Sequence, residues 1–269
     1  MRLSGATRAS GADDAPVLLV AATEMELAPL RKALREPHEV AGTWGGRWHG
    51  AVGATRVALA AHGVGKVNAA AGTMAHLLEV RPRAIVQVGI GGAYVGSFLS
   101  NGLVAAASEE LQLDLGVRHA GGRVDGLATL GFPATPEVGG RPARYERVPT
   151  HDGLQLALRE VLALPTLRFA TLDAVTGDVD AGAALQRAFD VSVESMEGAA
   201  VAQLSDRLGV PFAELRGVSN LVGERDKQRW DVRGAVRASC AAARALLAAW
   251  DEHPATQAIR GSAVPDDTW

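Results

Sequence analysis

A chain of 269 residues, 48% of them hydrophobic, is long enough for a full core in one large domain. Its 30 acidic residues nearly balance 27 basic ones, and a formal charge of -3 is too mild for nucleic acid or an acidic membrane to be the main partner. A lone cysteine, Cys240, excludes a disulfide framework within the chain and reads as a small core residue of an alanine-rich helix.

The first sixteen residues are small and polar with no apolar h-region, so 1–16 reads as a mobile tail and not a secretory signal. "VLLVAA" (17–22) is a continuous apolar run, the pattern of a strand buried on both faces. The helix "EMELAPLRKALRE" follows, then half-buried strands near "GRWHGAV" and "TRVALAAHG" and the helix "KVNAAAGTMAHLLEV", stopped by Pro82. "AIVQVG" (84–89) and "GLVAAASEE" are further strands. The span 111–150, rich in Gly, Pro and charge, reads as a long surface excursion. Helices and strands then alternate through "DGLQLALREVLAL", "LRFATLDAV", "AGAALQRAF", "VSVES", "MEGAAVAQLSDRL" and "FAELRGVS" to a last helix. This alternation predicts an α/β three-layer α/β/α sandwich with a mixed, mostly parallel central sheet, in one domain over 17–250. The remainder, 251–269, has no hydrophobic period and reads as a second tail. No apolar run is long and clean enough to span a bilayer, and the expectation is a soluble, cytoplasmic protein.

In such a sheet ligands bind beyond the carboxyl ends of the strands, so strand ends are the first place to look. "GIGGAY" nearly matches the dinucleotide fingerprint but has Tyr94 where the third glycine belongs, and "GVGKVN" at 63–68 fails at Asn68. Two readings stay open for these glycines: tight turns between strand and helix, or backbone that can approach a flat base or sugar. Glu24 and Glu194 read as helix N-terminal charges. Glu26 and Glu197 are harder to dismiss, because each follows a strand end in an apolar setting. Two carboxylates facing one crevice could divide the work, one taking a water proton and the other holding hydroxyls. His49, His62, His76, His119 and His151 are scattered without ligand spacing, so no metal is expected.

Taken together, "VAATEMELAPL", "HGVGKVNAA", "VGIGGA", the "ME" of "SMEGAA" and "LRGVSN" resemble the nucleoside phosphorylase/nucleosidase superfamily over roughly residues 17 to 250. Within it the chain is most similar to hydrolases of the methylthioadenosine/S-adenosylhomocysteine nucleosidase type. Asn220 stands where those enzymes have the aspartate of Arg-x-x-Ser-Asp. That departure, with "VESMEGAAV" and "SNLVGERDKQRW", resembles the futalosine hydrolases, which remove hypoxanthine from futalosine in an alternative menaquinone pathway.

The resemblance implies roles. Glu26 would polarise the attacking water, with Arg216 orienting water and carboxylates. Glu197 would hold ribose hydroxyls, with Met196 packing the sugar, and Gly89, Gly91 and Gly92 would line the floor. Asn220, with Ser219, would carry the base: its amide nitrogen can donate to O6 of hypoxanthine while its oxygen accepts from N7-H. Related phosphorylases carry an arginine for phosphate just before the glycine loop; Gln87 here has no charge, which favours water as nucleophile. The implied enzyme needs no cofactor or metal, takes a small purine nucleoside, and forms a homodimer or larger homo-oligomer. In the loop after Asn220, Arg225 is the first candidate and Arg229 the second for the benzoate of futalosine, with Trp230 as a wall and Asp226 as a group that could orient the arginine. The rival place for that benzoate is the 40s loop around Trp44 and Arg47. Rival functions are a nucleosidase for methylthioadenosine, aminofutalosine or inosine, and an inactive nucleoside-binding sensor.

Overall fold

The computed structural model describes residues 15–120 and 123–259. Its elements run β1 (Val17–Ala21), α1 (Glu24–Ala33), β2 (Arg35–Val40), β3 (Arg47–Val52), β4 (Thr55–Ala61) and α2 (Lys66–Val80). The middle of the chain supplies β5 (Ala84–Ala93), β6 (Val104–Gln112), β7 (Gly116–Arg118), β8 (Val124–Gly126), α3 (Leu127–Leu130), β9 (Arg147–Pro149) and α4 (Asp152–Leu162). It ends with β10 (Thr166–Thr171), α5 (Val179–Phe189), β11 (Val193–Ser195), α6 (Gly198–Leu208), β12 (Phe212–Leu221), α7 (Val232–Ala249) and α8 (Pro254–Gln257).

The main sheet has the order β11-β10-β6-β12-β5-β1-β4-β3-β2, with β9 added to β6. Its centre is parallel, β4-β1-β5-β12, and antiparallel pairs lie on either side, so the sheet is mixed as expected. Alternation along β1 explains the three layers. Val17 and Leu19 face α1, α4 and α7 through Leu27, Leu30, Leu154, Leu158 and Leu246. Leu18 and Val20 face α2 and α6 through Ala69, Leu77, Val201 and Ala202. A strand buried on both sides has no room for polar side chains, hence the unbroken "VLLVA". Beyond this, β11 pairs with β10 and also, antiparallel, with the end of β5 through Val193↔Ala93 and Glu194↔Gly92. Strands β5, β12, β6, β10 and β11 therefore close into a ring.

The structure corrects several expectations. The glycine stretch after "AIVQVG" is not a turn: β5 runs on to Ala93, paired with β12 and β11. α1 stops at Ala33, because Leu34 is extended and Pro37 follows, and 35–40 become the exposed edge strand β2. The 111–150 excursion folds in part: β7 and β8 form a hairpin, and β9 pairs with β6. The segment from 251, expected as a tail, is folded through Ile259, since α8 packs back and Thr256 and Ile259 are buried like Trp250. Residues 260–269, like 1–14, lie outside the described residues. Pro16 is tied to the sheet, its carbonyl accepting the Arg83 amide. Among the described residues no helix is long and apolar enough to cross a membrane.

Candidate active site

A cavity of about 250 Å³ opens beyond the carboxyl ends of β1, β5, β11 and β12. Glu26, Ile90, Gly91, Gly92, Met196, Glu197, Arg216, Ser219, Asn220, Arg225 and Trp230 all line it. Residues far apart in sequence thus converge, because the central parallel strands all end on the same side.

Glu26 is set by the start of α1. Thr23 is the N-cap, and its hydroxyl accepts the Glu26 amide at 3.3 Å. In return Glu26 Oε2 accepts the Thr23 amide at 3.0 Å and its hydroxyl at 2.9 Å, a capping box. Oε1 accepts the Ile90 amide at 3.2 Å. Buried polar groups need hydrogen-bond partners, and three donors hold this carboxyl group at one orientation. Cys240 is buried behind α1, its thiol donating to the Glu26 carbonyl.

Arg216, from β12, is almost completely buried and ties the carboxylates together. Its Nε donates to Glu214 Oε1 at 2.6 Å, Nη2 to Glu197 Oε2 at 3.3 Å and Nη1 to the Ile90 carbonyl at 3.0 Å. Burial alone would lower its pKa, but the charges of Glu214, Glu197 and Glu26 outweigh that and raise it. Glu197 is the N-cap residue of α6, yet its side chain makes no cap bond. It turns instead to Arg216 and to the Gly65 amide, which donates to Oε1 at 3.2 Å. Gly65 is part of "GVGKVN", so that turn serves Glu197.

Gly89 does not line the cavity. It sits behind, where a Cβ would fall 2.6 Å from Arg216 Nη1 and 2.9 Å from Glu26 Oε1. The missing side chain leaves the space over the strand into which guanidinium and carboxylate both reach. Gly89→Ala is expected to cost about 1–3 kcal/mol by overpacking, and to cut kcat more than it raises KM. Thermal melting beside steady-state kinetics checks this; an unchanged kcat would show that the Glu26–Arg216 approach is not needed.

Ser219 and Asn220 are neighbours on a strand, and side chains of strand neighbours point to opposite faces. Both nevertheless line the cavity. The reason is a bulge: Val218 pairs with Gly91 and Asn220 with Gly92, leaving Ser219 as the extra residue. Ser219 Oγ lies 2.7 Å from Asn220 Oδ1 and 3.2 Å from the Gly91 carbonyl, and Asn220 Nδ2 donates to the Leu221 carbonyl at 2.9 Å. The amide is thereby held in one orientation, with one hydrogen on Nδ2 and one lone pair on Oδ1 still to spare.

The loop after β12 sorts its charges. Asp226 caps a short 3-10 turn at Lys227–Arg229, and Arg229 pairs with Glu224 at 3.0 Å at the surface. Asp226 lies 3.8 Å from Arg229, and among the described residues it makes no ion pair with Arg225 that would orient it. Arg225 lies over the Trp230 ring, 5.3 Å from its centroid, and both line the cavity. Trp230 is fixed by its indole N–H on the Glu224 carbonyl. The 40s loop is otherwise engaged: Trp44 donates to the His62 carbonyl and Arg47 is buried against Glu79. Gln87 is buried in the sheet and lines no part of the cavity, so its neutrality says little about the nucleophile.

Sequence reasoning missed part of the wall. Glu194 is no helix-end charge: it lies in β11, buried, accepting from the Tyr94 hydroxyl at 2.8 Å and from the Thr176 amide and hydroxyl at 2.7 and 2.6 Å. Burial, with the Glu194 charge beside it, raises the Tyr94 pKa. Met25, Val64, Val175 and Val222 give the cavity apolar sides. Periodicity could not have shown that these residues, Met25 from α1 and three from loops, line one cavity.

The sequence model of the phosphorylase superfamily matches residues 16–250. A futalosine hydrolase of Thermus thermophilus is 38% identical over 201 residues, covering 75% of this chain and 85% of that protein. A 5'-methylthioadenosine/S-adenosylhomocysteine nucleosidase of Geobacillus thermodenitrificans is 30% identical over 218 residues, covering 77% and 84%. The solved nucleosidase of that name from S. pneumoniae, with a transition-state inhibitor, superposes with a TM-score of 0.74 at 24% identity over 87% of this chain and 99% of that one. The chain belongs to the phosphorylase superfamily. Within it the chain stands with the nucleosidases, the N-glycosidic hydrolases of the group.

Proposed function

We propose that this nucleosidase hydrolyses the N-ribosidic bond of futalosine, releasing hypoxanthine and dehypoxanthine futalosine, a step of menaquinone biosynthesis in the cytoplasm. The observation that carries the reading is Asn220, an amide held by Ser219 and Leu221 at the end of the cavity where a 6-oxopurine would be read. Nδ2 can donate its spare hydrogen to O6. Oδ1 can accept from N7-H, which forms as the glycosidic bond breaks, so the bond strengthens in the transition state. Glu26 takes the proton of the attacking water. Glu197 accepts from ribose hydroxyls and stabilises the cation-like sugar, and Met196 packs against it. The 38% identity to a futalosine hydrolase supports the same substrate.

Arg225 and Trp230 at the mouth suit a carboxylate on an aromatic ring: a guanidinium fork for the charge and an indole for the face. Among the described residues no carboxylate lies within ion-pair distance of Arg225, whereas Arg229 is paired with Glu224. Arg225→Ala is expected to raise KM for futalosine by roughly tenfold or more, the worth of one charge-assisted contact, and to leave KM for inosine nearly unchanged. Equal losses on both substrates would return the loop to a structural role. A homo-oligomer whose partner closes the cavity belongs to the same proposal. Exposed Met25 and Val64 at the cavity wall support it, and sedimentation velocity tests it.

The decisive experiment incubates the purified protein with futalosine, aminofutalosine, methylthioadenosine and inosine and resolves the released base by chromatography. Hypoxanthine from futalosine at the highest kcat/KM is the expected result. Adenine release in preference would move the substrate to the methylthioadenosine type, and binding without release would make the protein a sensor.

A further inference from the structure

Behind Arg216 lies a second acidic pair that the roles above do not use. Glu110 on β6 and Glu214 on β12 are both completely buried. Their hydrogen bonds can be counted oxygen by oxygen. Thr171 Oγ1 accepts the Ala199 amide at 2.8 Å and lies 2.6 Å from Glu110 Oε2, so its own hydrogen goes to that oxygen. Glu214 Oε1 accepts Arg216 Nε–H at 2.6 Å. Glu110 Oε1 and Glu214 Oε2 remain, and among the described residues neither has another partner. The two converge on one point at the head of α6, where a Cβ on Gly198 would collide with both. Two bare carboxylate oxygens cannot face each other in a dry interior, whereas one hydrogen between them satisfies both.

The surroundings decide which carboxyl is neutral. Arg216 touches Glu214 and makes no bond to Glu110. Glu197 lies beyond Arg216, β10 offers the Thr171 hydroxyl, and β5 places the amide of Gln87 opposite Glu214 in register. Burial first, then the Glu214 charge and a hydrogen bond to it, hold the Glu110 carboxyl well above the usual carboxylate range.

We propose that Glu110 and Glu214 share one proton and form a positioning pair for Arg216. Neutral Glu110 donates to Glu214, Glu214 stays ionised and holds Nε, and the other two guanidinium nitrogens are thereby aimed at Glu197 and the Ile90 carbonyl. The rate test rests on the nucleosidase reading; the spectroscopic test does not. Glutamine reproduces a protonated glutamate, with its amide oxygen toward Thr171 and its NH2 toward Glu214. Glu110→Gln is therefore expected to keep kcat near the parent value. It should also abolish an alkaline fall of kcat in the parent, which arises when the shared proton leaves.

Glu214→Gln removes the anion from Arg216 and is expected to lower kcat by about 10–100-fold at little change in KM, the loss typical when an orienting partner behind a functional group is removed. In the infrared, the parent should show the C=O stretch of a buried protonated carboxyl near neutral pH, absent in Glu110→Gln. Equal kcat losses in the two variants, or an unchanged alkaline limb in Glu110→Gln, would overturn the proposal, and so would an infrared spectrum without that band. If the parent released no base from any nucleoside, the functional reading would fail while the band still decided the pair.

Discussion

Glu26→Gln is expected to lower kcat by roughly 10²–10⁴, the usual contribution of a positioned general base, with KM almost unchanged. Glutamine at the third helical position still serves a capping box, so α1 should start where it does now. What changes is the proton chemistry. The amide has no basic oxygen for a water proton, and one side of it becomes a donor. With its oxygen toward Thr23, its NH2 would face the Ile90 amide, now bonded to Oε1 at 3.2 Å, and that bond would be lost. The prediction is checked by base release under single-turnover conditions, with nucleoside binding and the melting temperature as controls. Near-normal turnover would take Glu26 out of the chemistry.

Asn220→Asp is expected to reverse base preference. One carboxylate oxygen would keep the Ser219 hydroxyl, but the other would replace Nδ2 against the Leu221 carbonyl 2.9 Å away. Two acceptors would then face each other, and no donor would be left for O6. Sites built on such bonds discriminate by ~10⁴ or more against a ligand that leaves them unpaired. The repulsion favours protonation of the introduced carboxyl, and a protonated carboxyl suits a 6-amino purine, which offers a donor beside an acceptor. The measurement is the ratio of kcat/KM for futalosine to that for aminofutalosine. If it does not move, Asn220 does not read the base.

Much of this was legible because burial leaves a mark on composition. "VLLVA" and "AIVQV" could hardly be anything but central strands, and Asn220 stood out by ending one. The glycines of "GIGGA" misled because glycine usually signals a turn. Here they thin a strand so that other side chains can lie across it, and nothing local to 89–92 reveals what Gly89 leaves room for. Glu194 was misread for a related reason: it lies at the end of the short strand "VSVES" just before a helix, where a carboxylate reads as a helix N-terminal charge, and nothing local shows its partners Tyr94 and Thr176. Glu110 and Glu214 carried little signal, since Glu110 follows Glu109 at the end of an apolar run and Glu214 shares its strand with Arg216. Only the sheet order, which sets β6 beside β12, makes them a pair. The C-terminal segment failed on length, since one turn of helix and one isoleucine show no period.

Among the described residues β12 is the last strand to be made, yet it lies in the middle of the sheet between β5 and β6. While the ribosome is still extending the chain, everything up to residue 211 can exist with that central slot empty. Both flanking strands then present unpaired edges, one of them the apolar run "AIVQV", and such edges recruit other chains. The same strand brings Arg216 and Asn220, so no product that stops short of it holds a complete set of the residues around the cavity. A chain stopped there exposes those two edges and lacks Arg216 and Asn220 from the cavity wall, and both deficits end together when β12 fills the slot.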